Sequence, residues 1–298
     1  MNQYPITYIQ PDDDPLDIRM DNVFKAVFTK DTPESMGALS KLVSALIGRN
    51  VTIVSILANE PPVEDTRDRQ IRFDINCKAE NGELVDVEIC FNPDVFEPVR
   101  LEFYAAKLYC RQDIKGSDKN YKDLNQTYQI AILANMKFFK DDAYFHTFEY
   151  YDPIRTVSLG GRTRIITLEL SKLEHIVKKP IDEMAVSERW AVFIEYLTNK
   201  EKRGTINKIL QQDEGIAMAN QVLMTISKDE HESARLLSEY KYQVDMQSKL
   251  VTAKREGQEE ERHKILDNAR NALAKGYPIE TIHDITGLDT ETIRNLSA

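Results

Sequence analysis

The sequence predicts an α/β fold with a mixed β-sheet flanked by helices, followed by an all-helical C-terminal region. Three observations carry that prediction. Helical and strand periodicities interchange over the first 175 residues, in the order helix, strand, hairpin, helix, strand. Residues 70–91 alternate polar and apolar side chains on both sides of a glycine turn. Beyond Ile176 no strand pattern returns, and apolar residues recur at helical spacing.

The elements follow in order. Residues 1–17 read as an extended arm punctuated by proline. A helix begins near Asp17 to Asp21 and places Phe24, Val27 and Phe28 on one face. A second helix, about Glu34 to Ile47, carries Leu39, Leu42, Val43 and Leu46, and Gly48 stands where a C-cap glycine belongs. Val51 to Leu57 alternates like a strand, and residues 59–69, with Pro61-Pro62, read as loop. After the hairpin comes a helix from about Pro98 to Ile114, broken at Gly116. Strands are expected at Tyr128–Ala134, Tyr144–Tyr151 and Thr163–Leu170. Glu188–Thr198 carries Trp190, Phe193, Ile194 and Leu197 at core spacing, and helices continue through 206–226 and 230–256. The charged run 253–262 reads as a solvated helix or a linker. The tail gives three short helices: one ending at Gly276, one opened by Pro278 and ended by Gly287, and one capped by Asp289. That outline is helix-turn-helix-like. Acids outnumber bases in it, so a helical cap or an oligomerisation element is the alternative to DNA reading.

Bulk composition sets limits. The chain has 298 residues, 42% of them hydrophobic and 30% charged, with a formal net charge of -10. This is ordinary globular composition with length for more than one domain. No run approaches the roughly 18 apolar residues of a membrane span. The polar, acidic start, MNQYPITYIQPDDD, has neither the basic nor the apolar part of a secretory signal. Cys77, Cys90 and Cys110 form no CxxC pair, which fits a reducing cytoplasm better than a disulfide framework. The negative charge argues against a protein that coats nucleic acid, because phosphate neutralisation dominates such binding. A DNA enzyme would need a local basic face on this acidic body.

The chemistry concentrates in FDINCKAENGELVDVEICF, residues 73–91. Phe73, Ile75, Cys77 and Ala79 alternate with Asp74, Asn76 and Lys78. Val85, Val87, Ile89 and Phe91 alternate with Asp86, Glu88 and Cys90. The apolar faces share the core only if the turn holds an odd number of residues, because a one-residue slip flips a strand. A three-residue loop, Glu80-Asn81-Gly82, pairs Ala79 with Glu83 and puts Gly82 in the left-handed position of a G1 bulge. Asp74 then faces Glu88, Asn76 faces Asp86 and Arg72 faces Cys90. Three carboxylates on one face repel unless something positive lies between them. An all-oxygen donor set suits Mg²⁺ or Mn²⁺. An ordinary solvent-exposed acidic face is the other reading of the same spacing. On the next helix Arg100, Tyr104, Lys107 and Arg111 fall at i, i+4, i+7 and i+11, one basic stripe with an aromatic within it. A snorkelling solvent face is the alternative there.

Taken in order, these pieces resemble the Rpn family of recombination-promoting nucleases and transposases, in the PD-(D/E)xK superfamily. Asp21-Asn22-Val23-Phe24-Lys25 is similar to the family's opening helix. Asp74 and then Glu88-Ile89-Cys90 are similar to its acid pair. Arg100, Tyr104, Gln112, Gly116, Tyr121 and Leu124 resemble the following helix and loop, and TGLDTETIRNL resembles the tail. The resemblance covers about residues 17–173 and 253–298. It implies a restriction-endonuclease-like core, which the residue pattern bounds at 1–175, ahead of a helical region at 176–252 and the linker and tail at 253–298. It implies metal-dependent cleavage of DNA phosphodiesters in recombination or transposition, with Mg²⁺ or Mn²⁺ held by Asp74 and Glu88. Asp21 would be an outer ligand or a structural partner.

One position departs from the family. The superfamily has lysine at the third motif position and this family glutamine, where this chain has Cys90. A thiol neither orients water well nor attracts Mg²⁺. Arg72, across the hairpin, is expected to supply the missing charge, ahead of Lys107, and Arg100, Tyr104, Lys107 and Arg111 to grip the DNA backbone. The alternatives are a degenerate homologue that binds DNA or protein without cutting, which Cys90 favours, and a structural protein that forms homo-oligomers through its C-terminal helices. No phosphate loop, nucleophile elbow or zinc-spaced histidine pair supports other chemistry.

Overall fold

The computed structural model describes residues 5–60, 71–93, 95–112, 114 and 120–296. They form two compact units, 1–237 and 238–298, with the boundary inside one long helix.

In the first unit, α1 (Asp21–Phe28) and α2 (Pro33–Ile47) form the opening pair. Thr32 caps α2 by accepting from the Ser35 N–H, and Gly48 ends it at φ 81°, as its position in the sequence predicts. The strands are β1 (Ile53–Ile56), β2 (Ile75–Ala79), β3 (Leu84–Cys90), β4 (Thr127–Leu133), β5 (Phe145–Phe148) and β8 (Thr163–Glu169). They make one sheet in the order β1-β2-β3-β4-β8-β5. β3, β4 and β8 run parallel, and the other neighbours are antiparallel. The sheet is therefore mixed, and the fold is the restriction-endonuclease-like α/β type expected. A small hairpin, β6 (Tyr151–Asp152) with β7 (Val157–Ser158), stands apart. Its strands are too short for periodicity to reveal.

Helix α3 (Glu97–Cys110) lies across β3, β4 and β8. It buries Leu101 against Cys90, Ala131 and Leu133. It ends earlier than its pattern suggests, at Cys110, and Gly116 lies outside the described residues. α1 packs against β3 and against α2 and α6 (Glu214–Lys228), and the 24–28 stripe buries Phe24 and Phe28 completely.

The helices between 176 and 237 do not form a body of their own. α4 (Val186–Tyr196), α5 (Arg203–Gln212) and α6 close the first unit, with Trp190 buried at its centre. The reason is apolar area: α6 buries residues on nearly all its faces and needs α2 as a partner. The expected helix 206–226 is two helices, interrupted where Asp213 caps α6.

The charged run at 253–262 is helical, within α7 (Glu230–Ala274). In the second unit α8 (Ile279–Thr286) and α9 (Thr290–Asn295) gather Ala269, Ile282 and Ile293 into a small core. Gly287 and Asp289 take the cap positions read from the sequence. Among the described residues no helix is long and apolar enough to cross a membrane.

Candidate active site

The hairpin register is the one the odd turn requires. Ile75 pairs with Val87, Asn76 with Asp86 and Cys77 with Val85. The Ala79 N–H donates to the Glu83 carbonyl, and Gly82 sits at φ +88°. The ladder ends at Ile75, because the next rung is made by side chains. The Asp74 N–H donates to Glu88 Oε1 at 3.1 Å, and the Ile89 N–H donates to Asp74 Oδ2 at 3.1 Å. Each acid is thus fixed by the backbone of the other's strand.

One rung further, Asn76, Asp86 and Gln129 lie side by side on β2, β3 and β4 and are fully buried. Gln129 Nε2 donates to Asp86 Oδ2 at 2.6 Å. Asp86 Oδ1 has no hydrogen-bond partner. Burial pushes the Asp86 carboxyl up to about 8, and burial followed by repulsion from Asp21 pushes Asp74 up to about 6. Glu88 is raised well above the carboxylate range by burial and by Asp86 and Asp74. The buried Asp86 and Glu88 and the half-buried Asp74 share one side of the sheet, where Asp74 raises the pKa of the other two.

Two cations border this cluster. Lys25 of α1 places its ammonium 2.8 Å from Asp74 Oδ1 and 2.8 Å from Asp21 Oδ1. Arg100 of α3 lies at the other end. Its Nη2 is 3.0 Å from the Cys90 sulfur, 2.7 Å from Glu97 Oε1 and 3.6 Å from Glu88 Oε2. The Cys90 thiol donates to Glu97 Oε1 at 3.3 Å, and burial raises it well above its ordinary value. Cys90 is therefore a buried, protonated neighbour of Arg100 and no nucleophile.

The remaining sequence candidates separate. Arg72 does not meet Cys90. The chain bends at Asp74, where the ladder stops, and the exposed Arg72 side chain pairs with Glu60 at 3.7 Å. Lys107 is exposed, with its ammonium 5.5 Å from the Phe103 ring centre. Arg100, Tyr104 and Arg111 do share a side. Arg100 stacks on Tyr104, Tyr104 meets Phe73 edge-on, and Arg111 stacks on Phe73 from beyond the helix end. Phe73 accordingly packs with Leu108 under α3, since the bend removes it from the alternation of β2. Lys25 and Glu97 were not singled out from sequence. An i,i+4 pair such as Asp21 and Lys25 is common on helices, and only the tertiary contact with Asp74 distinguishes it.

A model of PD-(D/E)XK nuclease family transposases matches residues 18–253. The chain belongs to this family. No curated protein and no solved structure matches it. The donor set here fits a hard divalent cation. It is all oxygen, it carries excess negative charge, and it includes a buried orphan oxygen on Asp86. Among the described residues no three His, Cys, Asp or Glu side chains form a ready metal cage. Two carboxylates with water and phosphate oxygens are the usual arrangement for Mg²⁺.

Proposed function

We propose that this nuclease-family protein is a metal-dependent DNA endonuclease acting in recombination or transposition, with Asp74 and Glu88 as ligands of Mg²⁺ or Mn²⁺. The observation that carries this is the crossed pair of hydrogen bonds that holds both carboxylates together on one side of the sheet. A bound cation supplies charge for the scissile phosphate and lowers the pKa of attacking water. Asp86 stands behind the pair with its carboxyl raised to about 8, and Lys25 favours the ionised form of Asp74 and aligns it. Asp21 acts through Lys25 as an outer partner.

In this reading Arg100 does the work of the motif lysine. Its guanidinium reaches the Glu88 carboxylate from the Cys90 side, where a lysine in place of Cys90 would start. Arg72 and Lys107, placed outside this cluster, take the weaker role of contacting backbone phosphates, together with Tyr104 and Arg111. The proposed location is the cytoplasm. Assembly through the C-terminal helices is part of the same proposal, supported by exposed Tyr242, Val244 and Met246 on α7.

The test is nicking of supercoiled plasmid in Mg²⁺ or Mn²⁺ by the wild type beside Asp74→Asn and Glu88→Gln. Metal-dependent nicking lost in both variants supports the reading. No nicking by the wild type in either metal, or equal nicking by the variants, overturns it and leaves the degenerate binding module that Cys90 suggests.

A further inference from the structure

A groove of about 250 Å³ opens beside the acid cluster, between α3 and the β8–β5 edge of the sheet. Phe139, Phe148 and Tyr150 wall it, Glu102 and Glu149 stand at its rim, and Thr167 contributes to its lining. Phe148 and Tyr150 are 41% and 53% exposed, so part of each ring is open to a ligand, although Phe148 stacks on His146. Thr167 is fully buried, yet its hydroxyl has no hydrogen-bond partner. A native chain rarely leaves such a group unpaired unless something else satisfies it.

The register locates the groove. Glu88 lies opposite Ala131, and Ala131 lies opposite Thr167. Partners in neighbouring strands point to the same face, so Thr167 shares the face of Glu88 two strands away, about 10 Å distant. α3 serves both places: Arg100 turns to Glu88, while its neighbour Leu101 and then Glu102 line the groove.

We infer that this groove receives one unstacked base of the nucleic-acid strand whose phosphate lies at Asp74 and Glu88. The inference rests on the nuclease reading. Exposed aromatic rings are the usual platform on which an unpaired base stacks. The acidic rim repels phosphate but accepts hydrogen bonds from a base amino group. Arg164 engages Glu149 at 3.3 Å, so Glu102 is the acceptor offered to the ligand, and the Thr167 hydroxyl gains its missing partner. Enzymes that take a base out of the stack use a pocket of this construction. Cytosine, adenine and guanine carry the amino group and thymine does not, so thymine is the poorest occupant.

The experiment is fluorescence anisotropy of the full chain in Ca²⁺ with four hairpin DNAs: fully paired, one bulged cytosine, one bulged thymine, and one abasic bulge. The cytosine bulge should bind tightest. Phe148→Ala and Tyr150→Ala should each weaken it about tenfold, with the paired duplex unchanged. Thr167→Val, which keeps the shape, should weaken it by less. Glu102→Gln should remove the preference for cytosine over thymine. Both aromatic positions are exposed, so loss of fold is not expected, and circular dichroism checks it. Equal affinity for all four DNAs, or equal weakening of paired and bulged DNA in the variants, overturns the base site while the nuclease reading stands. No binding and no nicking by the wild type overturns both.

Discussion

The Arg100 guanidinium lies 3.0 Å from the Cys90 sulfur, so a side chain from α3 occupies the neighbourhood that a lysine on β3 would otherwise fill. The contact gives a direct prediction. Arg100→Ala should lower nicking by about 10²-fold, the usual effect of removing one charge-stabilising donor. Cys90→Ser should stay within a few-fold of wild type. Cys90→Lys should be poor alone, because two cations then meet, and the double variant Cys90→Lys, Arg100→Ala should recover part of the loss. Nicking rates of the wild type and the four variants decide it; an Arg100→Ala rate equal to that of the wild type would exclude the role.

Lys25 is a half-buried counter-charge shared by Asp21 and Asp74. Lys25→Met removes the counter-charge of two carboxylates and should cost about 1–3 kcal/mol, between an exposed and a buried pair, because all three side chains are partly exposed. In Asp74→Asn the same substitution should cost clearly less, because one of the stranded charges is gone. Urea unfolding of the four proteins in EDTA measures both values. Equal costs in the two backgrounds would show that Lys25 and Asp74 are not coupled.

Asp74 titrates near 6 and Asp86 near 8 in the folded protein, against about 4 in an unfolded chain. A raised carboxyl favours folding while protonated. Its contribution is complete below about pH 4 and is lost as pH rises through those folded values. The thermal midpoint in EDTA should therefore drop between pH 4 and pH 8. Asp86→Asn should flatten the upper part of that drop. A midpoint profile identical in wild type and Asp86→Asn would contradict the burial of an acid there.

Divalent cations should act in the opposite sense. Ligand binding to the folded state alone stabilises by mass action. Mg²⁺ or Mn²⁺ should raise the midpoint more at pH 8 than at pH 5, since protons compete for Asp74 and Glu88. Asp74→Asn and Glu88→Gln should lose this response without losing their fold. Scanning calorimetry with and without metal checks it, and an undiminished metal shift in both variants would place the cation elsewhere.

Gly82 at φ +88° holds the odd turn, with the Asn125 side chain 3.2 Å from where a Cβ would stand. Gly82→Ala should cost about 1–2 kcal/mol from the left-handed conformation. Replacement of Asn125 by alanine in the same chain should relieve only the contact. Chemical denaturation of the pair separates the two contributions.

The sequence by itself determined the sheet hairpin, its register and the meeting of Asp74 with Glu88. Those follow from a period of two, a shared core and one glycine turn, all of which are local. The helix ends at Gly48, Gly287 and Asp289 were legible for the same reason, since caps are read from a few adjacent residues. Tertiary structure decided which cations serve the acids. Arg72 lies past the point where side-chain hydrogen bonds replace the ladder, and nothing in the alternation of residues 70–79 marks that bend. Arg100 and Lys25 come from helices far from the hairpin in sequence, and their reach depends on how α3 and α1 pack on the sheet. The folding of α4 to α6 into the first unit was equally a matter of packing, since periodicity shows an apolar face without showing what covers it.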